Sequence, residues 1–454
     1  MEEAETYHEA YLLVRKAQDM IGTSKENSDE QAELFQKAIR IKPDFLEAHY
    51  NLGLIYANQK KWQRAISEFE AVLKLDPKFE GAYFLLASGY QTVGDEKNTI
   101  RALEGGLNIN PKDTRMLRAL AYLQYNSKND PEAIKLLQQL LELEPADIES
   151  RIDLAVLFHR NNEIEKAVSN YKDALLVDSK SFAAHYNLAL IYMSQKKYAE
   201  AALELETVSQ IRPGYPESLE LLGDAYAFQR MQQKAVSAYK AATEKAPDRS
   251  VLFSKLGSSL ADIGKNEEAV AALERSVKLN PQDPRAYFLL GELYGDLKRV
   301  DSAIAAYKRS LELNLKQSGV HLSLGTLYAE SNKTDEAMTE LNAAVQLDPN
   351  NSYAWGNLAL LNEKLGLDKA AIQAHEKVLS LGKGQALNYF HLGMLYAKNN
   401  QPDQAIPNFA KAIEMEPEKY RTVLMAELRN VHSMLDSVRY KTEFRQLLPG
   451  MQTK

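Results

Sequence analysis

Hydrophobic and polar positions along this chain follow one unit that returns every 34 residues. Stepping by 34 from Pro43 gives Pro77, Pro111, Pro145, Ser179, Pro213, Pro247, Pro281, Leu315, Pro349, Lys383 and Pro417, with no insertion or deletion between them. Nine of these twelve stations are proline in a chain that has only 15 prolines, so the register is not chance. A 34-residue frame with that proline at place 32 gives eleven full copies from Leu46 onward. Place 7 is leucine in all eleven, from Leu52 to Leu392, and place 8 is always glycine or alanine, as in Gly53, Ala87, Ala155 and Gly393. Place 11 is aromatic in eight copies, Tyr56, Phe158, Tyr192 and Tyr396 among them. Place 20 is alanine in ten, with Thr99 the exception, and place 24 is bulky: Phe69, Leu137, Tyr171, Tyr239, Tyr307, Phe409.

The spacing predicts two helices per unit. Places 4, 7, 8 and 11 stand at i, i+3, i+4 and i+7, which is one face of a helix, and places 20, 24 and 27 repeat that face on a second one. The small residues at 8 and 20 let the two backbones approach, and leucine and aromatic side chains fill the space around the contact. The proline stops the second helix, because it lacks an N–H and its ring clashes with the preceding turn.

A 34-residue helix–turn–helix with Leu-Gly/Ala, Tyr, Ala, a bulky apolar residue and Pro at these places resembles the tetratricopeptide repeat. The resemblance runs from roughly Glu30 to Pro417. It implies an all-α fold, a right-handed superhelical α-solenoid of antiparallel helix pairs with a concave groove lined by the first helix of each pair. The expected organisation is a degenerate N-terminal repeat over 1–45, eleven repeats over 46–417, and a C-terminal capping helix and tail over 418–454. In the first segment Ala32, Phe35, Ala38 and Ile39 mark a second helix, and the polar run 23–29 predicts a longer inter-helix loop. In the last, Leu424, Leu428, Val431 and Leu435 predict one long helix, needed because a terminal repeat cannot bury its outer face alone. Pro407 inside a second helix, Gly105-Gly106 in another, and a glycine stop at Gly382 are places of expected kinking or flexibility.

Composition narrows the function classes. With 55 Lys+Arg against 62 Asp+Glu the net charge is −7, which argues against general nucleic-acid binding. There is no cysteine, which excludes disulfides, thiol catalysis and cysteine-ligated metal centres. No apolar run reaches the length of a membrane span, so membrane insertion is not expected. The acidic start Met1-Glu2-Glu3-Ala4-Glu5 does not resemble a secretory leader; the expectation is a cytoplasmic protein, or a periplasmic or secreted one if a leader has been removed. Gly264-Lys265 lacks the glycine and Ser/Thr of a phosphate loop, and His8-Glu9 and His375-Glu376 have no second histidine at metal spacing. The eight histidines are scattered; three, His49, His185 and His321, share place 4, which predicts a packing role. No enzyme, metal or cofactor is expected.

The resemblance puts places 2, 5, 9, 12 and 13 on the groove. The third and fourth repeats there offer Arg115, Arg118, Tyr122, Tyr125 and Arg160; the fifth offers Tyr186, Asn187 at place 6, Leu190 and Met193; the sixth turns acidic with Glu220 and Asp224. Aromatic residues interleaved with arginines mark binding surfaces. The carboxylate clamp of chaperone-binding repeats is not matched, since Asp153 stands where its asparagine is wanted. The asparagine ladder of O-linked N-acetylglucosamine transferase repeats is represented only by Asn51, Asn187 and Asn357. The expectation is a scaffold that binds a peptide segment or helix of another protein. The aromatic, basic part would take an acidic or aromatic stretch, and the acidic part a basic one. The double change Arg118→Glu, Tyr122→Ala is expected to weaken binding and spare the fold. Two other readings stand beside this: a self-association module using Phe444, Leu447 and Leu448, and a substrate-recruiting array of a larger enzyme or complex.

Overall fold

The computed structural model describes residues 2–314, 316–429 and 433–448, with side chains from residue 7 onward. The Leu315 station, Val431 and the side chains of the acidic start lie outside the described residues. The described chain is an all-α solenoid of consecutive helix pairs without a strand. It divides into two compact units, Met1–Pro213 and Gly214–Lys454.

In each full copy the first helix has 13 residues, as in Leu46–Asn58 and Thr114–Asn126. The second has 14, as in Trp62–Leu75 and Asp130–Leu143, with Asp368–Ser380 shorter at 13. That shorter helix ends on Gly382 at φ +67°, the left-handed residue of a glycine stop. The turn inside every pair is also left-handed. Place 15 has φ between 55° and 80° in all eleven copies, and only Gly94, Gly264 and Gly366 are glycine there. Lysine, arginine or asparagine occupies it elsewhere, at a cost of about 1–2 kcal/mol for a non-glycine left-handed residue.

The core explains places 8 and 24 together. A Cβ on Gly53 would lie 2.7 Å from the Phe69 ring, on Gly223 2.4 Å from Tyr239, on Gly291 2.5 Å from Tyr307 and on Gly393 2.5 Å from Phe409. In these four copies an added methyl would overpack the pair, whereas two other copies combine alanine with a ring, Ala155 with Tyr171 and Ala359 with His375. Gly105-Gly106 has the same cause. A Cβ on Gly105 would meet Tyr83 at 2.6 Å and one on Gly106 would meet Met116 at 2.3 Å, and the helix Glu96–Ile109 runs through both. The helix Pro402–Met415 likewise runs through Pro407.

Place 4 does more than pack. Its polar tip reaches back to the place-32 carbonyl of the preceding copy. Tyr83 Oη donates to Pro77 O at 2.9 Å, Trp355 Nε1 to Pro349 O at 2.9 Å and Arg151 Nη2 to Pro145 O at 2.7 Å. His49 Nε2 lies 3.0 Å from Pro43 O while its Nδ1 lies 2.6 Å from Glu68. Glu68, opposed by burial and helped by the Pro43 carbonyl, raises the His49 pKa above its ordinary value. His185 and His321 meet Glu204 and Glu340 in the same way.

The ends depart from the frame. Residues 19–28 separate the helices Glu2–Gln18 and Asp29–Ile41, and Gln31 Nε2 crosses the gap to Ala17 O at 2.8 Å. At the other end the expected long helix is not formed. The helix Pro417–Glu427 stops after 11 residues, turns follow, and Thr442–Gln446 is a five-residue helix. Leu435, Val438, Phe444 and Leu448 fold back and bury themselves with Phe409, Tyr420 and Leu424. Phe409 and Phe444 stand 5.5 Å apart. Phe444 and Leu448 are thus spent inside their own unit, and the self-association surface expected of them is not exposed.

Candidate functional site

In the first unit a recess of about 610 Å³ is lined by Phe84, Arg115, Arg118, Tyr122, Tyr125, Leu137, Glu149 and Asp153, among others. Four of the residues expected on the groove, Arg115, Arg118, Tyr122 and Tyr125, meet here. They sit on one face of Thr114–Asn126, and the helix Ile148–Arg160 supplies the carboxylates. Tyr122 is the exposed ring of the set and Tyr125 is half-buried.

The charges of the recess differ from the expectation. Arg115 Nη2 lies 2.7 Å from Asp113, which caps its own helix. Arg118 bridges to Asp147 and, at 2.7 Å, to Glu144. Asp147 is the N-cap of Ile148–Arg160. Burial works to raise its carboxyl, but hydrogen bonds from Ser150 and Arg118 outweigh it and hold it below the ordinary carboxylate value. Arg160 pairs with Asp130 and lies 5.0 Å over the Tyr125 ring. All three arginines are therefore neutralised by the chain itself and do not form an open basic surface. Arg118→Glu would set two carboxylates against a third at a helix start, so that change bears on the fold as well as on binding.

Asp153 is the opposite case. It is half-buried in the recess wall and makes no hydrogen bond or ion pair with the described residues. Burial raises its carboxyl pKa, and the like charges of Glu149 and Asp147 add to the rise. The hydroxyl of Tyr171, which Asp153 also perturbs, is buried with no partner.

The other expected residues are not gathered into this recess. Tyr186 stacks on Phe182 at 5.7 Å with the rings 8° apart, and Leu190 and Met193 are half-buried on the same helix, Phe182–Ser194. Asn187 makes no side-chain hydrogen bond with the described residues, whereas Asn51 bonds the Glu47 carbonyl of its own helix and Asn357 the Thr326 hydroxyl of the neighbouring copy. In the second unit Glu220 and Asp224 are already engaged. Lys255 Nζ lies 2.7 Å from each, Arg249 pairs with Glu220, and Tyr239 Oη donates to Asp224 at 2.7 Å. Burial and then Asp224 push the Tyr239 phenol up.

One cluster escaped the sequence reading. Glu363, His375 and His391 come from three successive helices, Ser352–Lys364, Asp368–Ser380 and Ala386–Lys398. Glu363 Oε1 lies 2.6 Å from His375 Nε2, and Oε2 lies 2.8 Å from His391 Nδ1. The rings stack 5.5 Å apart. Burial would raise the Glu363 carboxyl, but the two imidazoles overcome it and bring its pKa down to about 2. The signal was present. His375 occupies place 24, where every other copy has Phe, Leu or Tyr.

These features define a helix-pair repeat protein whose first helices present a sculpted face. Family models described as tetratricopeptide repeat match residues 46–79, 152–216, 254–314 and 386–419, and one described as TPR repeat matches 27–60 and 325–366. The chain belongs to the tetratricopeptide-repeat family. As such it is a protein–protein interaction scaffold, of a fold that typically carries no catalysis. None of the curated proteins matches it. Among solved structures, MamA is 25% identical over 36% of this chain and 95% of that one, with a TM-score of 0.35. Naa15/Naa10 bound to HypK-THB is 17% identical over 90% of this chain and 68% of that one, at 0.43. YrrB, described as a TPR protein with an unusual peptide-binding site, is 22% identical over 48% of this chain and 95% of that one, at 0.30. No helix among the described residues is long and apolar enough to cross a membrane.

Proposed function

We propose that the recess of the first unit is where this scaffold takes a segment of a partner protein, and that the segment brings a lysine or arginine side chain. The observation that carries the reading is the half-buried Asp153 carboxylate without a cation, set among Tyr122, Tyr125 and Phe84. A cationic side chain gains on both counts there. Its charge offsets Asp153 and Glu149, and its head and stem pack against aromatic faces. The sign is the reverse of what the arginine content of the sequence suggests, because those arginines are spoken for. Ordered walls reduce the entropy lost on the scaffold side, and charge complementarity selects the partner.

A random peptide library panned against the full chain tests this. Enrichment of lysine or arginine with flanking apolar residues, lost with Asp153→Asn or Tyr122→Ala, is the expected result. Enrichment of acidic peptides would restore the anion-binding reading and overturn this one.

A further inference from the structure

We propose that Glu363, His375 and His391 form a binding site for a divalent transition-metal ion of the zinc class. Two imidazole nitrogens and a carboxylate oxygen are the donor set that such ions prefer. The three groups can each offer one ligand atom with all the atoms within 4.8 Å of one another. A tetrahedral ion about 2.0–2.2 Å from each donor spaces its ligands about 3.4 Å apart. The 2.6 and 2.8 Å contacts of the two Glu363 oxygens therefore have to open by about 0.6 to 0.8 Å.

The surroundings fit the same reading. His375 is buried and replaces the ring or leucine that fills place 24 in the other ten copies, a substitution that core packing does not call for. Asn388 stands 3.4 Å from His375 Nδ1. That contact is made by the amide nitrogen, while the carbonyl oxygen accepts from Gln385 N–H, so an imidazole that binds the ion through Nε2 and carries its proton on Nδ1 requires the amide to turn its oxygen to the ring. A recess of about 320 Å³ opens beside His375 and His391, so a fourth coordination position is reachable from solvent. Lys383 lines that recess and Glu363 is the carboxylate of the site. Together with a divalent ion they favour water or an anionic group as the fourth ligand.

Zn2+ titrated calorimetrically into the full chain at neutral pH, with thermal unfolding followed alongside, tests the site. Co2+ reports coordination number through its visible absorption. The expected result is one ion per chain, a melting temperature several degrees higher with the ion bound, and a tetrahedral Co2+ spectrum. All three are lost with His391→Ala and with His375→Phe. The second variant puts a ring opposite Ala359, as Tyr171 stands in the copy of Ala155, and its melting temperature without metal checks that it folds, so that its failure to bind reports the ligand. No saturable binding at millimolar Zn2+, or a site retained in either variant, overturns the proposal and leaves a hydrogen-bonded triad.

Discussion

The helix pairs that begin at Thr114 and at Pro216 occupy the same places of the frame with opposite charges. In the later pair, place 5 is Glu220, place 9 Asp224, place 34 Arg249, and place 6 of the following copy Lys255. Signs alternate, each charge has a partner, and the network closes. In the earlier pair, place 5 is Arg118, place 34 Asp147 and the following place 6 Asp153, which inverts all three. Place 9 breaks the inversion. It is Tyr122, not a cation, and Arg118 is drawn away to Asp147 and Glu144. The difference shows how one repeat frame gives a self-satisfied face in one place and an unfinished one in another. A partner's lysine or arginine supplies the charge that place 9 omits.

Several changes would break or sharpen that contrast. Because each pair contacts only its neighbours, stability is best read by hydrogen exchange in the affected helices. The largest effect is expected from Glu220→Ala. The Glu220 side chain is 15% exposed and holds both Arg249 and Lys255, so its loss costs about 2 kcal/mol. Arg118→Ala costs less, about 1 kcal/mol or below, since Arg118 is 42% exposed and solvent screens its pairs. Equal losses would mean that the two networks are equivalent.

Next come the phenols. Tyr239→Phe deletes the bond to Asp224 and costs about 1 kcal/mol. Tyr171→Phe removes a buried hydroxyl without a partner, since Val156 stands at its place 9 where Tyr239 and Tyr307 find Asp224 and Glu292; no loss, or a small gain, is expected. A loss at Tyr171 would mean that its hydroxyl is satisfied by water.

The smaller effects concern charge. Asp153→Asn is expected to stabilise its pair by about 0.5 kcal/mol, whereas Lys255→Gln at the matching place destabilises. The folded pKa of Asp153 lies above its ordinary 3.8, so the folded state binds the proton more tightly. Wild type therefore gains as pH falls through the folded value, and its gap to Asp153→Asn narrows toward pH 3.8. His49 has the other usual sign. Its raised pKa contributes stability that is full below its ordinary 6.5 and is lost as pH rises through the folded value. The melting difference between wild type and His49→Phe is accordingly larger below pH 6.5 than above it. A difference that is flat with pH would show that the Glu68 contact carries no charge.

Much of this was legible in the sequence, and the limits have physical causes. Periodicity located the helices and the core, because places 7, 8, 20 and 24 have one packing solution. It also put Arg115, Arg118, Tyr122 and Tyr125 on one helix face, and these four line the recess. It misjudged the recess charge, because the partners of Arg118 and Arg160 lie 26 to 30 residues away, on neighbouring helices, and a single-helix reading does not see them. The same blindness called the histidines scattered, although His375, His391 and Glu363 are carried onto one another by the packing of three helices. The C-terminal stripe suggested a long helix, yet the apolar surface of the last pair is covered by a folded-back tail instead.

The most direct test of the central claim compares one basic peptide, selected on the wild-type chain, across wild type, Asp153→Asn and Arg118→Gln by calorimetry. The account predicts at least about a tenfold loss of affinity for Asp153→Asn, roughly 1.4 kcal/mol, and a change within about threefold for Arg118→Gln. Binding that survives Asp153→Asn and fails with Arg118→Gln would contradict it.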